Sequence, residues 1–159
     1  MVLANRNGRA IRFLEEDVRP MGRTATGVRG MRLDDENDAV VGMVVIDREE
    51  DDHDILVISE KGNGKRSLFE DYRQTKRGAK GVKTLNISDK TGNLIAIKGV
   101  RDDYDLMITT KDGVVIRLPI DSIRVMGRAT QGVRLINLDA KAEIADVAII
   151  KERDEDEEE

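Results

Sequence analysis

The chain has 159 residues, 39% hydrophobic and 37% charged, with 27 Lys and Arg against 32 Asp and Glu, one histidine and no cysteine. That length suits one domain or part of a repeat array. The composition excludes disulfides, thiolate metal sites and multi-histidine metal centres, and no apolar run is long enough to span a membrane. The net charge of −5 is a property of the end of the chain: KERDEDEEE at 151–159 holds two basic and seven acidic residues, which leaves 1–150 balanced at 25 of each. A neutral total permits an electropositive face, because placement decides the local field.

Read from the start, MVLAN forms a short strand and NGRAIRF turns at Gly8 into a second one. The opening has no long apolar core, so a cytoplasmic protein without a signal peptide is expected. Residues 15–19 make at most one helical turn. A basic loop follows, RPMGRTATGVRGMRL from Arg19, and then the β-branched strand VVGMVVI from Val40. The run DREEDDHD from Asp47 lacks the glycine and the ligand spacing of a calcium loop and reads as a charged, solvated linker that includes His53.

The pattern then repeats. DILVIS from Asp54 and GNGKRSL, turning at Gly62, precede a second basic loop, YRQTKRGAKGVKTLNI from Tyr72, and the strand NLIAIKGV from Asn93. DLMITT from Asp105 and DGVVIRL, turning at Gly113, precede a helical turn at 121–124. The third loop, RVMGRATQGVRLINL from Arg124, and the strand EIADVAII from Glu143 complete the series. Gly27, Gly81 and Gly132 recur roughly every 50 residues, the signature of stacked supersecondary units. In register with them stand Arg23, Arg77 and Arg128 upstream, then Arg29, Lys83 and Arg134 downstream. Arg19, Arg73 and Arg124 recur further upstream. Four short strands per period predict an all-β, propeller-like fold with three blades, at about 1–50, 51–101 and 102–150, followed by a disordered acidic tail at 151–159. Three blades make a partial disc, because closed rings have about four to eight. The chain therefore reads as the later part of a larger disc, with edge strands open to another chain.

The densest basic patch is TKRGAKG, residues 75–81. Small residues let the backbone approach a ligand, and Lys76, Arg77 and Lys80 add charge suited to phosphates. Candidate DNA-binding residues are Arg23, Arg29, Lys76, Arg77, Lys80, Lys83, Arg128 and Arg134. Arg12, Arg66 and Arg117 divide evenly between bracing the blades and contacting a ligand. Met21 and Met126 are expected to pack between blades. No nucleophile–base pair, metal cluster or nucleotide loop marks an enzyme, and no cofactor is implied.

These residues carry a resemblance. The repeated basic loops, the glycine turns ending in arginine and the acidic end resemble the C-terminal DNA-wrapping domain of the DNA gyrase A chain, part of a type IIA topoisomerase. The resemblance implies a β-pinwheel, a propeller-like disc whose blades exchange strands. Duplex DNA bends around its rim and is presented for strand passage so that the holoenzyme introduces negative supercoils. Implied partners are duplex DNA, the remainder of the gyrase A polypeptide, and the gyrase B polypeptide. The family box, Gln-(Arg/Lys)-Arg-Gly-Gly-(Arg/Lys)-Gly, is matched by Lys76, Arg77, Gly78, Lys80 and Gly81. Thr75 stands in place of the glutamine and Ala79 in place of a glycine, as in the degenerate copies of later blades. The cleavage tyrosine and the ATPase have no counterpart here. Two alternatives stay open: the matching domain of topoisomerase IV, and a protein-binding repeat scaffold whose arginines only brace it. The tail reads either as a solubiliser or as a competitor with DNA for the basic rim. On the second reading, deleting 151–159 tightens DNA binding at low salt.

Overall fold

A computed structural model describes residues 1–47, 53–127, 132–136 and 142–151. The acidic tail beyond Lys151 and the candidate Arg128 lie outside the described residues. Within them the protein is built from antiparallel sheets. The first repeat contributes β1 (Val2–Asn5), β2 (Arg9–Arg12) and β3 (Val40–Val44); the second β4 (Asp54–Ser59), β5 (Asn63–Leu68), β6 (Val82–Lys83) and β7 (Leu94–Val100); the third β8 (Asp105–Thr110), β9 (Val115–Pro119), β10 (Val133–Arg134) and β11 (Ile144–Ile150). Three single 3₁₀ turns, Glu15–Asp17, Phe69–Asp71 and Ile120–Ser122, each follow the second strand of a hairpin. The second of these was not expected from sequence, because one turn is too short to leave a helical period.

The strand order shows an exchange between repeats. The sheets run β3-β1-β2-β6, β10-β5-β4-β7 and β11-β8-β9. The two-residue ribbons of the second and third basic loops therefore pair with the sheet of the preceding repeat: β6 on β2 and β10 on β5. At the opposite edges, β3 lies against β7 and β7 against β11, so these strands converge on a hub while the ribbons form a rim.

Sheets stack face to face, and the period of two in each strand decides which neighbour a side chain meets. In β4, Ile55 and Val57 join Val2, Ala4, Val44 and Tyr72 in a core shared with the first blade. Leu56 and Ile58 turn the other way and join Leu106, Ile108, Ile120 and Ile144 in a core shared with the third. That explains why DILVIS is buried on both faces despite its short length. A smaller cluster of Ile11, Phe13 and Met31 ties the first basic loop to its own hairpin.

Two side chains depart from expectation. His53 is not simply solvated; its Nε2 lies 3.3 Å from the Tyr104 hydroxyl, with the rings edge to face. Met21 does not pack between blades and is 37% exposed.

Candidate nucleic-acid interface

The rim begins with the way each basic loop is nailed to the hairpin before it. The Thr75 amide donates to the Arg12 carbonyl at 2.7 Å, and the Met126 amide donates to the Arg66 carbonyl at 2.6 Å. Further along, the amides of Thr84 and Leu85 reach the Gly8 carbonyl, and the Leu135 amide reaches that of Gly62. Between these anchors the chain passes so close to the preceding strand that a Cβ on Gly81 would stand 2.3 Å from the Ala10 carbonyl oxygen, and one on Gly132 2.4 Å from that of Gly64. Lys65, fully buried where the other hairpins carry Ile11 and Ile116, donates from Nζ to the Gly127 carbonyl at 3.0 Å and holds the third loop from below.

The first and second loops are also joined to each other. The Gly78 amide donates to the Gly30 carbonyl at 2.7 Å, and the Arg32 amide to the Ala79 carbonyl at 2.9 Å. The positive charges of 19–33 and 72–87 therefore lie on one continuous surface. Arg23, Arg29, Lys76, Lys80, Lys83 and Arg134 are all exposed there or on the third ribbon. The side chains of Arg23, Arg29, Lys76 and Arg134 make no ion pair or hydrogen bond among the described residues. Lys80 lies 3.4 Å from Asp34, which also sits 3.7 Å from Arg9. Asp34 thereby offsets the repulsion that Arg9 and Lys83, directly opposite in the β2–β6 register, would otherwise feel.

Arg77 is placed differently from its box neighbours. Its Nε donates to the Asp17 carbonyl at 3.1 Å and its Nη1 to the Arg29 carbonyl at 3.2 Å, so it staples loop two to loop one. Thr75 Oγ1 turns inward to the Arg12 carbonyl at 3.4 Å. Gly78 supplies a positive φ and Gly81 a close approach. The box thus divides into a structural half and an exposed cationic half.

The hairpin arginines brace. Arg66 is 6% exposed and lies 2.7 Å from both Asp54 and Asp102. Burial lowers its pKa, but hydrogen bonds and charge from Asp102 and Asp54 outweigh that and raise it overall. Arg117 pairs with Asp105 at 2.8 Å. Arg12 lies over the Phe69 ring at 3.9 Å and donates to the Tyr72 carbonyl, and its pKa is lowered, chiefly by burial. The repeat alignment also carried a signal for Arg19, Arg73 and Arg124, which are exposed in all three repeats and belong beside the candidates above. Asp34 had only a partial signal, because the matching position is Asp139 in the third repeat but Ser88 in the second.

Comparison with known proteins agrees with this geometry. The model of the DNA gyrase C-terminal domain, a β-propeller, matches residues 1–47, 53–101 and 104–151, one segment per repeat. The chain is 51% identical over 146 residues to the DNA gyrase A polypeptide of Ureaplasma parvum and 48% identical over 147 residues to that of Staphylococcus aureus. These alignments cover 91% and 92% of this chain but span only 17% and 16% of the relatives. Among solved structures, a DNA gyrase A C-terminal domain superposes with a TM-score of 0.79 at 25% identity, covering 94% of this chain and 50% of that one. A topoisomerase IV C-terminal domain superposes at 0.85 with 23% identity, covering 94% and 47%, a likeness of fold alone. With a family model matching repeat by repeat and the strand exchange in place, the chain belongs to the family of DNA gyrase C-terminal β-propeller domains.

Proposed function

We propose that this chain is a non-catalytic module that binds and bends duplex DNA along its rim. In the holoenzyme it would present a DNA segment for strand passage, so that negative supercoils are introduced. The remainder of the gyrase A polypeptide, the gyrase B polypeptide and a cytoplasmic setting belong to the same reading. The observation that carries it is the backbone joining of the first two basic loops, which merges their unpaired cations into one surface. Phosphate oxygens accept from such cations without regard to sequence, and binding releases condensed counterions. Bending a site of 20–30 base pairs costs on the order of 1–6 kcal/mol, so several phosphate contacts spread around an arc are required rather than one strong one.

The test is anisotropy binding to a long, mixed-sequence duplex across a salt series. The wild type should bind without sequence preference, and its affinity should fall steeply with salt. Lys76→Ala, Lys80→Ala and Lys83→Ala together should flatten the log–log slope by about 2–3, at roughly 0.9 for each phosphate no longer neutralised. Arg77 is left intact because its removal would unstaple the loops. Absence of binding at low salt by the folded chain would overturn the reading in favour of a protein-binding scaffold.

A further inference from the structure

At the junction of the first two repeats, one carboxylate stands between two rim cations. Asp34 Oδ2 lies 3.7 Å from Arg9 Nε on β2, and Oδ1 lies 3.4 Å from Lys80 Nζ in the second loop. Arg9 also donates from Nη1 to the Gly81 carbonyl at 3.4 Å, so its guanidinium lies against that loop, opposite Lys83 in the register. Asp34 is the anchored member of the three. Its amide donates to Asp38 Oδ2 at 3.1 Å, and Asp38, itself buried, also accepts from Asn5 Nδ2 at 2.8 Å and from the Ala39 amide at 3.0 Å. The carboxylate thus sits on a turn tied to β1, whereas the Lys80 side chain is long and 53% exposed.

The junction of the second and third repeats has the same strand register without these charges. Asn63 stands at the position of Arg9 and Ser88 at that of Asp34. Gln131, which lies outside the described residues, stands at that of Lys80 in the sequence. The neighbouring cations do persist: Arg77 becomes Arg128 and Lys83 becomes Arg134. The turn does not need the carboxylate either. The Ser88 amide is held by Thr91 Oγ1 at 3.0 Å as the Asp34 amide is held by Asp38. A rim junction therefore forms with three neutral side chains, and where two extra cations appear, an anion appears between them.

We propose that Asp34 is a built-in competitor for DNA phosphate, neutralising Arg9 and Lys80 in the free protein until duplex DNA draws them away. Resting on the DNA binding proposed above, this adds Arg9 to the contacting cations. A phosphate that takes Lys80 or Arg9 leaves Asp34 bare on its fixed turn, and the carboxylate then gathers a cation from solution. That uptake offsets part of the counterion release, so Asp34 both weakens binding and flattens its salt dependence.

Anisotropy titrations of the 159-residue chain with a long, mixed-sequence duplex across a salt series test this. Asp34→Asn, and Asp34→Ser as the second repeat has it, should each tighten binding about three- to tenfold near 0.1 M salt, roughly the worth of two exposed ion pairs. Each should steepen the log–log slope by about 1–2. Glu36→Gln removes the same charge from an exposed position of the same turn and should change affinity less than about twofold, through screening. With Arg9→Ala and Lys80→Ala already in place, Asp34→Asn should gain nothing further. If the wild type binds but Asp34→Asn matches it or matches Glu36→Gln, the competitor role is overturned and DNA binding stands. A gain that survives the loss of Arg9 and Lys80 overturns it equally, as an effect of net charge. Absence of binding by the wild type and every folded variant at low salt would overturn both readings together.

Discussion

Replacing Arg66 with methionine should lower the free energy of unfolding by about 3–5 kcal/mol, the cost typical of breaking a buried ion pair from one side. The guanidinium side chain is 7% exposed and that of Asp54 is 15% exposed, so removing the cation leaves a carboxylate that water reaches poorly. Asp102, with a side chain 77% exposed, contributes little to this figure because solvent screens it. Arg66 also spans repeats, donating to the Ile120 carbonyl in the third, so the loss loosens the junction of two blades as well as one pair. Denaturant titration should show a lower midpoint at an unchanged slope. Arg117→Met should cost less, about 1–2 kcal/mol, since its side chain is 49% exposed. Adding Asp54→Leu to Arg66→Met should recover most of the loss, because it removes the stranded charge. A loss under about 1 kcal/mol for Arg66→Met, accompanied by a fall in DNA affinity, would reverse the assignment and make Arg66 a contact residue.

The same residue shows how far a sequence of this kind can be read. Repetition located the hairpin turns, the strands and the basic loops, because each leaves a local mark: a positive-φ glycine, a β-branched run or a cluster of cations. Repetition did not separate Arg66 from Arg23. Both are arginines at fixed offsets in every copy, and whether such a residue faces Asp54 or solvent is decided by a strand 12 residues away. Arg77 was misleading for the same reason. It lies in the most DNA-like string of the chain, yet its donors end on carbonyls of another loop, 48 and 60 residues distant. The strand exchange could come only from resemblance, since a two-residue ribbon has no periodicity and nothing local says which sheet it joins. Lys65 is a further case. A lysine in a strand normally marks the solvated face, and nothing local in the sequence shows that this one is buried with its Nζ donating to the Gly127 carbonyl, 62 residues away.

Gly81→Ala should be among the most damaging single-methyl additions in the rim, costing about 2–5 kcal/mol and moving the second loop. Two effects add. An alanine held at φ +81 costs roughly 1–2 kcal/mol, and a Cβ 2.3 Å from a backbone oxygen forces displacement at a further 1–3 kcal/mol or so. The oxygen belongs to Ala10, whose strand is itself pinned between β1 and β6, so the ribbon must be the part that gives way. Gly78→Ala in the same loop separates the two effects: its φ is +83, but the nearest atom to the new methyl is the Arg29 carbonyl oxygen at an ordinary 3.7 Å. It should therefore cost only the conformational share, about 1–2 kcal/mol. If DNA reads this loop, Gly81→Ala should also weaken binding at fixed salt although it removes no charge, because Lys80 and Lys83 flank the displaced point. Gly78→Ala should leave affinity close to wild type. Equal losses of stability from the two substitutions would mean that the close approach to β2 contributes nothing, and that the second loop is held by its hydrogen bonds to the hairpin and to the first loop.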